Sequence, residues 1–154
     1  GTNFSSWYNQ SEGSILFSSQ PVSLNSNDGQ NGSAIFINDG YIFNFLSLTN
    51  DPRSGGSGGV SVYSGNSPQF SSGSMGSGIS NRTIVLAYRT NDFAGSTQGL
   101  AAVTDNLGTL PVVDRMSIGV YLPTTPDYFA NGHISRIAYH STRVSDTALE
   151  ALTL

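Results

Sequence analysis

Two glutamates, Glu12 and Glu150, two histidines, His133 and His140, and scattered loop aspartates are the groups of this 154-residue chain that could do chemistry. Glycoside hydrolysis needs two carboxyl groups about 5–9 Å apart across the scissile bond. Here the glutamates stand at opposite ends of the chain, and no aspartate lies two residues from another acid on an expected strand. Hydrolysis by that route, and enzymatic activity altogether, is therefore not expected. The histidines are seven residues apart in one strand-like run, which on a period of two sends them to opposite faces. His133 is expected to be buried beside the Asn131-Gly132 turn. No Ser-His-Asp arrangement follows from the spacing, and the abundant serines read as loop residues.

Binding chemistry is better represented. Sugar recognition uses aromatic faces that stack on pyranose rings, with amides or carboxylates for the hydroxyls. Tyr63, Tyr121 and Tyr128 lie beside glycine- or proline-rich stretches, and Asn91, Asp92 and Asp127 are the polar groups that could accompany them. These six are the candidate carbohydrate-binding residues. Taken singly, Tyr63 and Tyr121 read rather as core or cross-strand packing residues, and Trp7 as a core anchor. No cofactor is expected. Ca²⁺ stays open, through loop residues Asp39, Asp51, Asp92 and Asp127, although such aspartates commonly cap their own turns.

Composition removes other classes. Only 10% of residues are charged and the net charge is −4. The six basic residues, all arginine, are scattered at 53, 82, 89, 115, 136 and 143, with no stripe to follow a phosphate backbone, so nucleic acid is not an expected partner. Membrane insertion is not expected either, because no apolar run approaches about 18 residues. The absence of cysteine excludes disulfides and thiolate metal sites.

The elements that must position these residues are almost all strands. "GSILFSSQPVSL", "SAIFIND", "YIFNFLSL", "GVSVYSG", "TIVLAYRT", "LAAVTD", "RMSIGVYL" and "HISRIAYHS" are apolar or alternating, and glycine-rich turns separate them. Asn38-Asp39-Gly40 between two such runs predicts a tight hairpin. The stretch 50–59 reads as a loop within one domain, because neither half alone has the strands for a sandwich. A single all-β domain, 1–154, is expected. The chain closes on a short helix. Ser145 is its N-cap, Asp146 lies in the first turn, and Val144 and Leu149 form a hydrophobic staple.

"RTIVLAYRTNDFAGSTQGLAAVTDNLGTLPVVDRMSIG" and "YFANGHISRIAYHSTRVSDTALEALTL" carry a family pattern. It comprises Ala87-Tyr88, Asn91-Asp92-Phe93, Asp114-Arg115, Ile118-Gly119, Asn131 to Ile134, Arg136-Ile137, Tyr139, Arg143, Ser145-Asp146, Leu149 and Ala151 to Thr153. "WYNQSEG" matches the first strand. The whole resembles the concanavalin A-like, laminin G-like jelly-roll domains of tailed-bacteriophage structural proteins. One departure is that the family's Asn-Gly hairpin after the Asn-Asp-Phe strand is "TQG" here. The resemblance implies an antiparallel jelly-roll β-sandwich on a virion exterior. It implies non-catalytic binding of carbohydrate or another host-surface component. The alternative is a purely structural capsid-decoration or tail-assembly domain, with other virion proteins as its partners.

Overall fold

The computed structural model describes residues 3–21, 33–50, 58–75, 81–120 and 132–154. One turn of 3₁₀ helix, Phe4–Ser6, precedes β1 (Glu12–Pro21), β2 (Ser33–Asn38), β3 (Phe45–Thr49), β4 (Gly59–Ser64) and β5 (Ser67–Ser71). β6 (Arg82–Arg89), β7 (Asp92–Thr97), β8 (Val103–Asp105), β9 (Arg115–Ile118), β10 (Gly132–His140) and α1 (Asp146–Leu152) follow. Two five-stranded sheets result, in the orders β10-β1-β6-β7-β8 and β5-β4-β3-β2-β9. Their pairings are antiparallel. This is the expected β-sandwich, closed by a short C-terminal helix.

Alternation explains how the layers stack. In β6, Ile84, Leu86 and Tyr88 face the other sheet and join Ile15, Phe17, Ile35, Ile37, Leu46, Leu48, Val60 and Val62 in the core. Val85 and Ala87 face the other way, with Leu16 and Ala94, and there Leu149 seals them from water. A strand covered on both faces reads as a continuous apolar run, which is why "TIVLAY" shows no polar alternation. Each fully buried Val, Leu, Ile or Phe side chain among them contributes about 1.5–3 kcal/mol.

The helix forms as its sequence requires. The Ala148 amide donates to Ser145 Oγ at 3.3 Å, and Val144 packs in the same cluster as Leu149. The charged tie at its start is Arg143. Its Nη2 reaches Asp146 at 2.6 Å and Asp92 at 2.8 Å, joining the β6–β7 turn to the helix.

β5 was not expected, and β7 is a strand of unusual composition. β5 contains Pro68 and is an edge strand, where a missing N–H is tolerated. β7 is built from small residues, and its Gly95 passes so close to β4 that an added Cβ would stand 2.5 Å from Val60 Cγ2. Neither stretch looks like a strand by propensity; position in the sheet decides it.

The histidines also lie differently from expectation. β1 and β10 shift register between Ser18 and Ser19, leaving Ser135 as an extra residue on β10. His133 then pairs with Gln20 and His140 with Ser14, positions of the same parity in β1, so both lie on one face. Six residues of strand, about 20 Å, still separate them. His133 is exposed rather than buried. Trp7 is half-exposed too, set edge-on against Phe4, Tyr8 and Tyr139 at the margin of the core.

Candidate functional site

The expected strand 41–48 begins only at Phe45, and residues 39–44 form a loop. Local side chains take the backbone groups that a ladder would otherwise use. Asn38 Oδ1 accepts from the Gly40 amide at 2.7 Å, and Asp39 Oδ1 from the Tyr41 amide at 3.0 Å. Asn44 Nδ2 donates to Asp39 Oδ2 at 2.8 Å, while Asn44 Oδ1 accepts from the Gly65 amide at 2.8 Å. The Asn66 amide donates to the Phe43 carbonyl at 2.9 Å, which fastens the loop to the β4–β5 turn.

That fixed loop presents Tyr41, Ile42 and Phe43, which are 66%, 43% and 46% exposed. Three consecutive large apolar side chains in water, on a backbone held by five hydrogen bonds, form a preorganised contact surface. Arg115 borders it. A Cβ added to Gly40, whose φ is +97°, would stand 3.0 Å from Arg115 Nη1, so the guanidinium lies against the loop. Asp114 grips Arg115 from the far side, with Nε to Oδ1 at 2.6 Å and Nη2 to Oδ2 at 3.1 Å. The hydrogen bond from Arg115 holds the Asp114 carboxyl below its ordinary range, and the same bond raises Arg115. Both groups stay charged and solvated at neutral pH. An aromatic face beside a guanidinium and a carboxylate can stack on a ring and hydrogen-bond its hydroxyls.

The six residues expected from sequence fall in different places. Tyr121, Asp127 and Tyr128 lie outside the described residues. Tyr63 is half-buried on the outer face of the second sheet, its ring stacked on Phe45 with centroids 4.7 Å apart. Asn91 and Asp92 form the β6–β7 turn in the other sheet. No hydrogen bond or ring contact joins Tyr63 to either of them among the described residues. Asn91 stands at φ +58° and its Oδ1 accepts from the Gly108 amide at 3.1 Å. Both Asp92 carboxyl oxygens are occupied by arginine, Oδ2 by Arg89 at 2.5 Å and Oδ1 by Arg143 at 2.8 Å.

The acids considered for catalysis and for Ca²⁺ are likewise engaged. Glu12 Oε2 accepts from the Arg143 amide and Glu150 Oε1 from the Ala102 amide, both at 3.0 Å. Asp39 spends its oxygens on its own loop, and Asp51 and Asp127 lie outside the described residues. Among the described residues no three His, Asp or Glu side chains converge on one point, and no helix is long and apolar enough to cross a membrane. The Tyr41–Phe43 loop was missed in the sequence because "YIFNF" has the composition of a strand. The signal that could have found it is the pair Asp39 and Asn44, both typical loop-locking residues.

No family model matches the chain, and no curated protein matches it. Solved structures do. The Ruminococcus gnavus IT-sialidase CBM40 bound to α2,3-sialyllactose superposes with a TM-score of 0.71 at 18% identity, over 95% of this chain and 84% of that one. The same module bound to α2,6-sialyllactose gives 0.75 at 17%, over 95% and 85%. Domain 4 of AbnA, a GH43 extracellular arabinanase from Geobacillus stearothermophilus in complex with arabinotriose, gives 0.64 at 11%, over 96% and 69%. At these identities the likeness is one of fold: a lectin-like jelly-roll β-sandwich.

Proposed function

We propose that this chain is a non-catalytic glycan-binding domain whose contact surface is the Tyr41–Phe43 loop with the Arg115–Asp114 pair. The carrying observation is that loop: large rings held out in water on a locked backbone, beside groups that donate to and accept from hydroxyls. Sugar chains bound to modules of the same fold, sialyllactose in one case and arabinotriose in another, support the reading. The engagement of Glu12 and Glu150 in fixing backbone supports a binding role over a hydrolytic one. Tyr63 is assigned to supporting Phe45 below the surface, and Asp92 to holding the helix.

The test is a glycan array probed with the whole chain and with Tyr41→Ala. Retention of a defined set of glycans, lost in the variant at unchanged melting temperature, is the expected result. Equal retention by both proteins would remove the loop from the site.

A second reading keeps the setting that the sequence resemblance implies: a virion exterior, with other virion proteins as partners. The exposed side chains of Leu107 and Val112, beyond those of the loop, favour it. Near-atomic imaging of a particle separates the two. Loops facing solvent fit adhesion, and loops seated on a neighbouring subunit fit assembly.

A further inference from the structure

The helix covers only part of the outer face of its sheet, and the side chains change where it stops. Moving two residues along β1 on that face replaces Leu16 by Ser18, and moving two along β6 replaces Val85 by Thr83. Beyond the helix C-terminus the surface sinks into a cavity of about 450 Å³, walled by Ser18, Thr83, Ser135, Asn81, Gln98 and Thr153, with Leu154 at its border. Arg82 also contributes to the lining, but it is buried and its guanidinium turns inward, 3.1 Å from where a Cβ on Gly58 would stand. That volume lies within the 300–1,000 Å³ range typical of small-molecule sites.

The wall is held from behind. The Gly99 amide donates to Thr153 Oγ1 at 2.9 Å, and Thr153 Oγ1 donates to the Glu150 carbonyl at 3.0 Å. Thr97 Oγ1 donates to the Thr83 carbonyl at 2.8 Å. At the floor, Ser18 Oγ and Thr83 Oγ1 share one hydrogen bond of 2.8 Å, so each keeps lone-pair capacity for a further partner. The side-chain amides of Asn81 and Gln98 make no hydrogen bond among the described residues.

Gln98 is the telling position. The Leu100 amide donates to the Thr97 carbonyl at 3.0 Å, and Gln98 and Gly99 between them have φ of +51° and +68°. That is a type I′ hairpin, whose first central position favours Asn, Asp or Gly. Gln there carries a left-handed backbone strain that a shorter residue would relieve. It extends a planar amide into the cavity instead. Residues that break a local rule are expected at functional or strained sites.

We infer that this cavity is a second binding site, for a single neutral pyranose unit, distinct from the Tyr41–Phe43 loop. Paired hydroxyls and two planar amides match the alternating donors and acceptors of a hexose ring, and no carboxylate or aromatic face lines it. The site takes a neutral sugar edge-on and weakly, without ring stacking. It does not depend on the loop being a glycan site.

The test is a titration of the isotopically labelled whole chain with D-galactose, followed by amide and side-chain NMR shifts, with glycerol as a non-selective control. Saturable shifts at Thr83, Gln98 and Ser135 that glycerol does not reproduce are expected. Gln98→Gly removes the amide while suiting the turn, so it is expected to raise the galactose Kd read from these shifts about tenfold with melting temperature unchanged or raised. Shifts that never saturate, or that Gln98→Gly leaves unaltered, would overturn the proposal. So would their loss in Tyr41→Ala, which would place galactose on the loop alone. A glycan array on which Tyr41→Ala changes nothing, with the cavity shifts intact, would instead sink only the loop assignment.

Discussion

Replacing Asp92 by Asn separates a structural carboxylate from a ligand-binding one. Its oxygens meet Arg89, which is exposed, and Arg143, whose side chain is only 8% accessible. The exposed pair is worth little, because water and salt screen it. The contact with Arg143 is worth more, since a largely buried guanidinium loses one of its acceptors. Outright removal of the partner of a buried charge costs about 3–5 kcal/mol. Arg143 keeps Asp146 at 2.6 Å and the Val144 carbonyl at 2.7 Å, so the loss here is reduced to about 2 kcal/mol. For a chain of this length that is about 4–8 °C in melting temperature. Calorimetry and urea denaturation of Asp92→Asn, Arg143→Met and the double variant give the coupling directly. The double variant is expected to be no worse than Arg143→Met alone, and glycan retention to be unchanged in Asp92→Asn. Unchanged stability together with lost glycan binding would refute the structural assignment and return Asp92 to the site.

Gly13→Ala sets a Cβ 2.5 Å from the hydroxyl of buried Tyr88, and denaturation is expected to report a loss of about 1–3 kcal/mol. Leu149→Ala opens a cavity over Leu16, Val85, Ala87 and Ala94; a loss of about 2–5 kcal/mol is expected by the same measurement, and Ser145→Ala should cost about 1 kcal/mol. Burial raises the phenol pKa of Tyr8 and of Tyr88 above the ordinary 10.0. A raised folded-state value means the contribution to stability is complete below pH 10 and is lost as pH rises further, because the unfolded chain releases those protons first. Absorbance titration is expected to show these two tyrosines ionising only as the chain unfolds; early ionisation of every tyrosine would contradict their burial.

The sandwich and its closing helix were legible because their signals are local and redundant. Ser145, Asp146, Val144 and Leu149 each point to the same helix start, and "TIVLAY" has the composition of a strand covered on both faces. β5 was illegible because Pro68 suits its place only once the neighbouring strand is known, and β7 was legible only through the family resemblance, because Gly95 suits its place only beside β4. The histidine geometry failed on one extra residue, since the bulge at Ser135 reverses the parity that a regular strand implies. Of the candidate residues, Tyr63 was legible both as a binding aromatic and as a cross-strand packing residue, and its stack on Phe45 across the ladder is the packing arrangement. Tyr41 and Phe43 were hidden inside an apparent strand, and only the hydrogen bonds of Asp39 and Asn44 turn that stretch outward. The strain at Gln98 was foreshadowed by the departure "TQG" from an Asn-Gly hairpin.

Chemical-shift mapping of the labelled chain with α2,3-sialyllactose tests the glycan-binding loop most directly. Saturable changes confined to residues 39–44 and the Arg115 guanidinium, and absent in Tyr41→Ala, are predicted. Changes centred on Asn91 and Asp92, with the loop unaffected, would contradict it.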